Sequence, residues 1–360
     1  MQFSNALERD KHMKRYGNLY QKVCSLENIQ LAHKNAKKGK GHYSEVKMVE
    51  ANPEKYFLMI HEMLKNKTFK TSMYSVFTKI DQKKVREIYK LPYFPDRIVH
   101  HCIINILEPI WMKTLISDTY ASLKNRGIHK GVKRINKALR DKENTTFCLK
   151  MDIKKFYLSI NHNILKRIIR KKIKDPDLLW LLDGIIDSAN GVPIGNYLSQ
   201  YFGNLYLSNF DHWMKEDKNT KYYFRYCDDV VILSRDKKYL GQLRKEIQQY
   251  LIENLKLTLK SNWQIFPTRI RGIDFLGYRF FGSYILLRKS IARRLKLKIC
   301  QVKKNNYRLS THQIVSGIMS YYGWLKHCSC HRLWKSQIDV KVKSIVKRVC
   351  DGSSIRIIWR

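Results

Sequence analysis

Two short β-rich runs, Y-Y-F-R-Y (Tyr222 to Tyr226) and V-V-I-L (Val230 to Leu233), are separated only by Cys227-Asp228-Asp229. The spacing predicts a hairpin. Its arms are aromatic and aliphatic, yet two carboxylates sit at its tip, in a chain with 30 Asp plus Glu against 70 Lys plus Arg. A second apolar run, Thr145 to Met151, ends in Asp152. Anions at the ends of buried strands are costly unless a cation compensates them. Hard oxygen ligands of this kind suit Mg²⁺ or Mn²⁺. If the hairpin lies beside the Asp152 strand, three carboxylates hold two ions about 3.5 to 4 Å apart, which activates an attacking oxygen and stabilises a leaving one. An Asp-Asp pair taken alone reads as an ordinary turn.

The formal charge of +40 over 360 residues points to a polyanionic partner, nucleic acid before an acidic membrane surface. An apolar fraction of 44% still supplies a core, and the length suggests two to three lobes. No stretch approaches the roughly 18 apolar residues of a spanning helix. Charges at Glu8, Arg9, Asp10, Lys11, Lys14 and Arg15 argue against a signal peptide, so the eight cysteines read as reduced thiols and the chain as cytoplasmic. The His327-Cys328-Ser329-Cys330-His331 cluster lacks a second pair at finger spacing and reads as a basic, partly buried helix segment.

Along the chain, the Lys-rich, glycine-punctuated stretch from Gln30 to Tyr43 predicts a mobile basic loop. A helix is expected from Pro53, strands over Ser75 to Ile80 and Val85 to Lys90, and a helix after Pro95 that stops near Pro109. Further helices are expected over His162 to Lys172, over Leu198 to Trp213 with Gly203 at a close approach, and over Lys237 to Asn254 capped by Asp236. Phe275 to Phe281 and Tyr284 to Leu287 flank Gly282-Ser283 as another hairpin. Basic helix is expected from Lys289 onward.

From about Ser75 to Trp334 the chain resembles the reverse transcriptases. Tyr226-Cys227-Asp228-Asp229 resembles their Y-x-D-D box, L-K-M-D-I-K-K-F-Y-L-S-I (Leu149 to Ile160) the preceding metal-binding motif, and F-L-G-Y (Phe275 to Tyr278) the primer-grip hairpin. L-P-Y-F-P-D-R-I-V-H-H (Leu91 to His101) is similar to the opening of the fingers helix. The resemblance implies an α+β right-hand polymerase: an N-terminal basic extension (1–51), fingers (52–144), a palm with an antiparallel sheet packed on helices (145–281), and the primer-grip end with a helical thumb (282–360). It implies Asp152, Asp228 and Asp229 as catalytic metal ligands for two Mg²⁺ ions (Mn²⁺ as a substitute), with the carbonyl of Ile153 as a further ligand. It places Lys79 and Arg86 on the triphosphate of a deoxynucleotide, with Lys83 and Lys84 as neighbours able to replace them, and Tyr157 against the sugar. Ile194, Gly195 and Gln200 lie beneath the nucleotide, and Phe275, Leu276 and Gly277 form the primer grip. Arg97 reads as a structural partner. The general acid stays unassigned, since Trp263 stands where the family often has Lys and Lys260 is out of register.

Where most intron and retron relatives carry Q-G-x-x-S-P, this chain reads Ile194-Gly195-Asn196-Tyr197-Leu198-Ser199-Gln200. That form resembles the reverse transcriptases of diversity-generating retroelements, which copy a template RNA with frequent errors at adenines, as do W-Q-I-F-P (Trp263 to Pro267) and Y-Y-G-W-L-K-H-C (Tyr321 to Cys328). Ile cannot hydrogen-bond at the nascent pair as Gln can, and losing about 1 to 3 kcal/mol of discrimination changes error rates tenfold or more. The implied partners are template RNA, its heteroduplex with cDNA, and a basic helical accessory variability protein. Arg288, Lys289, Arg293, Arg294, Lys296, Lys298, Lys303 and Lys304 are placed to track one backbone. The alternatives are a retron or group II intron-type enzyme and a non-catalytic RNA-binding scaffold.

Overall fold

The computed structural model describes residues 14–81, 84–304, 317, 320, 321, 323–330 and 333. The first thirteen residues of the expected extension, Lys83, His331, Cys350 and most of the expected thumb lie outside the described residues. The principal helices are α1 (Leu26–Ala36), α2 (Pro53–Lys65), α3 (Ile98–Met112), α4 (Ile128–Ala138), α5 (His162–Arg170), α6 (Pro176–Ile186), α7 (Ser199–Tyr206), α8 (Lys237–Leu255) and α9 (Lys289–Lys304). The strands are β1 (Ser75–Asp81), β2 (Lys84–Lys90), β3 (Phe147–Asp152), β4 (Tyr222–Tyr226), β5 (Asp229–Ser234), β6 (Gln264–Pro267), β7 (Ile273–Phe275), β8 (Tyr278–Phe280) and β9 (Ile285–Leu287). Two compact units interleave in sequence: 1–125 with 151–221 and 243–262, and 126–150 with 222–242 and 263–360.

In the first unit, the stretch expected to be a mobile loop is helical as far as Ala36. Ser25 caps α1 by accepting from the Asn28 N–H at 3.3 Å. Ile29, Ala32, His33 and Ala36 form its buried stripe. Only Lys37 to Tyr43 remains a turn, since the Lys-rich composition that suggested solvation occupies the outer face. Asn28 reaches α3, donating to Cys102 O at 3.1 Å and accepting from Asn105 at 3.0 Å. Helix α3 does not stop at Pro109 but runs to Met112. Proline forfeits one hydrogen bond, while the last turn buries Ile110 and Trp111, the latter 5.9 and 6.1 Å from the Tyr201 and Phe202 rings. The helix expected from Leu198 to Trp213 breaks at Leu207 (φ −92°, ψ 0°), just after Tyr206 anchors its hydroxyl on Leu255 O at 2.6 Å.

Strands β1 and β2 pair antiparallel with Lys79 opposite Arg86. The hairpin is open to solvent on both faces, with Val76 and Ile80 at 53% and 74% exposure on one and Phe77 at 48% on the other.

The second unit holds a four-stranded sheet in the order β4-β5-β3-β6, with the last two residues of β3 counted in the first unit. Tyr223 and Phe224 of β4 and Val230 to Leu233 of β5 are buried, as the apolar arms require. A second sheet, β7-β8-β9, is antiparallel throughout. The run expected as one strand from Phe275 is divided, because Leu276 and Gly277 take positive φ (54° and 84°) and turn the chain between β7 and β8. Gly282 (φ 87°) makes the expected turn before β9. Helix α8 matches its expected stripe of Leu240, Leu243, Ile247 and Leu251, and Asp236 accepts from the N–H groups of Lys238 and Tyr239 at 2.7 and 3.1 Å. The segment Lys326 to Cys330 is not the expected helix but a turn laid on β9, with the Ser329 N–H on Ile285 O at 2.6 Å.

Candidate active site

Strand β3 alternates its faces, so Lys150 and Asp152 point to the same side. In the first unit the β3 terminus is tied to a distant segment: Lys260 N donates to Asp152 O at 2.8 Å, and Lys154 N to Thr258 O at 2.8 Å. That main-chain pairing carries the Lys260 ammonium to 2.6 Å from Asp152 Oδ1. Both side chains keep about a third of their surface in water, at 33% and 32%. Ile153 is buried and bridges Leu259.

In the second unit the aspartate hairpin is tighter than its sequence suggests. Asp229 is the first residue of β5, paired with Tyr226, so the turn is Cys227-Asp228 alone. Cys227 adopts φ 56°, a left-handed conformation uncommon for a side-chain-bearing residue. Arg225, fully buried, braces the turn by donating from Nη1 to Cys227 O at 3.0 Å. Lys150 reaches Asp229 at 3.4 Å and also donates to Asp274 O of β7. Asp274 in turn accepts from Arg288 Nε at 2.6 Å. Burial in this sheet raises the Cys148 thiol pKa well above its usual range and raises that of the Tyr226 hydroxyl.

The nucleotide-side candidates share the first unit. Lys79 and Arg86 face each other across β1 and β2, both exposed. The half-buried Ile194 extends this hairpin, its carbonyl accepting from the Tyr89 N–H at 2.8 Å. Gly195 (φ 119°) lies so close to β2 that a Cβ would come within 2.3 Å of Tyr89 O. Gln200 accepts from the Tyr157 hydroxyl at 3.0 Å and from Ser122 Oγ at 3.1 Å. Gly203 does admit a close approach: a Cβ there would meet the Tyr157 and Phe156 rings at 3.0 and 3.1 Å.

Phe275 is fully buried, Leu276 and Gly277 form the turn between β7 and β8, and a Cβ on Gly277 would lie 2.4 Å from the Trp324 ring. On α9, Ile291, Leu295 and Ile299 are buried, while Arg293, Arg294 and Lys296 are exposed. The side chains of Lys303 and Lys304 lie outside the described residues.

The oxygens of Asp152, Asp228 and Asp229 are the hard donors that Mg²⁺ prefers. Asp152 and Asp229 are each balanced by a lysine ammonium in the way a metal cation would balance them. Among the described residues no three His, Cys, Asp or Glu side chains are grouped as a metal cluster. Sequence reasoning missed the two lysines as partners. For Lys150 a signal existed, two positions before Asp152 in a strand. For Lys260 the pairing depends on a contact 108 residues away in the chain.

Comparison with known proteins gives a consistent family match. The family model described as reverse transcriptase (RNA-dependent DNA polymerase) matches residues 65–280. Protein YkfC of Escherichia coli (strain K12) is 25% identical over 234 residues, 52% of this chain and 61% of that protein. Nuclear intron maturase 4, mitochondrial, of Arabidopsis thaliana is 25% identical over 181 residues, 47% of this chain and 22% of that protein. The Putative COX1/OXI3 intron 2 protein of Saccharomyces cerevisiae is 21% identical over 253 residues, 51% of this chain and 29% of that protein. The chain thus spans less than two thirds of each of these relatives. Among solved structures, apo telomerase from Candida tropicalis shares the fold at a TM-score of 0.50 and 11% identity, covering 77% of this chain and 59% of that one.

Proposed function

Given that the chain belongs to the reverse transcriptase (RNA-dependent DNA polymerase) family, we propose that it copies a template RNA into cDNA with adenine-directed errors, as the polymerase of a diversity-generating retroelement. The observation that carries this reading is the Ile194 to Gln200 loop. One end is bonded to the hairpin bearing Lys79 and Arg86, and the other to Tyr157 through Gln200. In this reading Ile194 is the apolar side chain that takes the place of the wider family's amide at the nascent pair.

In this reading Asp152, Asp228 and Asp229, with the carbonyl of Ile153, hold two Mg²⁺ ions, which when bound activate the primer 3′-hydroxyl and stabilise the leaving pyrophosphate. Lys79 and Arg86 hold the triphosphate through charge-assisted hydrogen bonds. The Tyr157 ring, fixed by its bond to Gln200, excludes a 2′-hydroxyl. Phe275, Leu276 and Gly277 position the primer terminus, and the exposed cations of α9 bind the heteroduplex backbone. Segments 52–144, 145–281 and 282–360 act as fingers, palm and thumb behind the 1–51 extension, in the cytoplasm, with a basic accessory protein meeting the enzyme through RNA.

The test is deoxynucleotide incorporation on a primed RNA template with Mg²⁺, comparing the parent with Asp228→Ala and Ile194→Gln and sequencing the products. Extension by the parent, none by Asp228→Ala, and adenine errors that fall in Ile194→Gln are expected. Two of the relatives carry "intron" in their names, which favours a second reading as an intron-type enzyme. Accurate extension by the parent would select it, and no extension with cognate RNA and accessory protein supplied would leave an RNA-binding scaffold.

A further inference from the structure

Around the start of α3, in the first unit, Arg97, Lys40 and Lys38 act on His101 and Arg97 on Lys40, and none of the three forms a salt bridge with an acid among the described residues. Arg97 directly precedes the helix, and its guanidinium carbon lies 5.1 Å from the centroid of the Tyr197 ring. His101 stacks on the same ring, with centroids 4.2 Å apart and planes 18° apart. His101 is 7% exposed, and its Nε2, like Arg97 Nε, is buried with no hydrogen-bond partner among the described residues. Lys40 stands in the turn after α1. Its ammonium pKa is lowered by burial and then by Arg97, and Arg97, Lys40 and Lys38 all act on His101.

Glu45 and one oxygen of Asp96 are engaged elsewhere, while Asp96 Oδ2 is buried with no hydrogen-bond partner among the described residues and burial raises the Asp96 pKa, favouring the uncharged acid. Glu45 accepts the N–H groups of Tyr93 and Phe94, and Asp96 Oδ1 accepts that of Ser72 at 3.0 Å. What borders Arg97 instead is Tyr197, Tyr93 and Tyr43. Buried donors without acceptors are costly, and native structures supply them with partners. A planar guanidinium held on a ring, beside a lysine and an imidazole, matches a tetrahedral oxyanion.

We propose that Arg97, His101 and Lys40, with Lys38 at the rim, form a subsite for one phosphate group. A backbone phosphate of bound RNA and a free phosphate or nucleotide share that chemistry. The inference rests on the polymerase reading only in taking RNA as one source, and its test needs no nucleotide addition.

Binding of a fluorescent RNA–DNA duplex to the full chain is measured by anisotropy across a salt series for the parent, Lys40→Gln, Arg97→Gln and the double variant. In parallel, melting temperature is followed with added inorganic phosphate. A backbone phosphate predicts that the slope of log K against log salt shrinks by about 0.7 to 0.9 in each single variant, the increment for one phosphate contact. The double variant then loses no further increment, since both side chains hold the same group. A phosphate-dependent rise in the parent's melting temperature that Lys40→Gln abolishes, with the duplex slope unchanged, supports the site and identifies a free anion as its ligand. An unchanged slope together with no effect of phosphate on melting overturns the proposal and leaves Arg97 as a packing residue, whatever the outcome of primer extension. Lys40→Gln keeps this reading independent of folding, because the side chain stands in an open turn rather than in α3.

Discussion

Asp152 and Asp229 each lie against a lysine, Lys260 at 2.6 Å and Lys150 at 3.4 Å, whereas Arg97 lies on a tyrosine ring with Lys40 as its charged neighbour. The two regions solve opposite problems. Around the aspartates, charge is balanced within each unit by pairs that keep about a quarter to a third of their surface in water. Ion pairs so exposed are worth about 1 kcal/mol or less, so a carboxylate can exchange its ammonium for a metal ion at little cost. Arg97 forms no salt bridge among the described residues, and the adjacent Asp96 is buried with its pKa raised. The first region fits the proposed metal ions, and the second the proposed phosphate.

The largest effects are expected at the aspartates. Asp228→Ala or Asp152→Asn is expected to lower incorporation roughly a thousandfold or more while the melting temperature stays near that of the parent. A small loss of rate would remove the cation-receiving half of the contrast.

Acid sharpens the other half. Burial, followed by the charge of Arg97, lowers the His100 and His101 pKa values to about 3, against about 6.5 in an unfolded chain. The unfolded state therefore binds more protons below pH 6.5. This contribution to stability is complete above that pH and is lost as pH falls toward 3, at up to about 1.4 kcal/mol per pH unit for each histidine. Urea unfolding at pH 7 and pH 5 reads it, and His101→Gln is expected to cut the acid loss by about half.

At the β1–β2 hairpin, Lys79→Gln and Arg86→Gln are each expected to raise KM for the deoxynucleotide about tenfold, the size of one charge-assisted hydrogen bond. Unfolding free energy should not move, since both side chains are exposed. The smallest effect belongs to Lys260→Met, which is expected to change unfolding free energy by less than about 1 kcal/mol. A larger loss in denaturant would show that the Asp152 pair is structural rather than exchangeable.

Much of the fold is legible in local patterns. The stripe of α8 with its Asp236 cap, the β1–β2 pair, and the two apolar arms around Asp228 all depend on residues within a few positions of each other. The stretch from Gln30 to Tyr43 misleads because its lysines and glycines are local, whereas Ile29, Ala32 and Ala36 are buried by elements elsewhere in the first unit. Asp229 shifts from turn to strand because its pairing with Tyr226 is set by hairpin register, which composition does not encode.

Sequence alone determined many of the elements, the acidic residues and the family, because periodicity, capping and motif spacing act over a few positions. Tertiary structure alone decided which ammonium meets which carboxylate and, among the described residues, which cations meet none. Lys260 and Asp152 are 108 residues apart, and Arg97 and Tyr197 meet only when α3 packs beside the loop before α7. These two pairings are long-range contacts, and no local pattern records them.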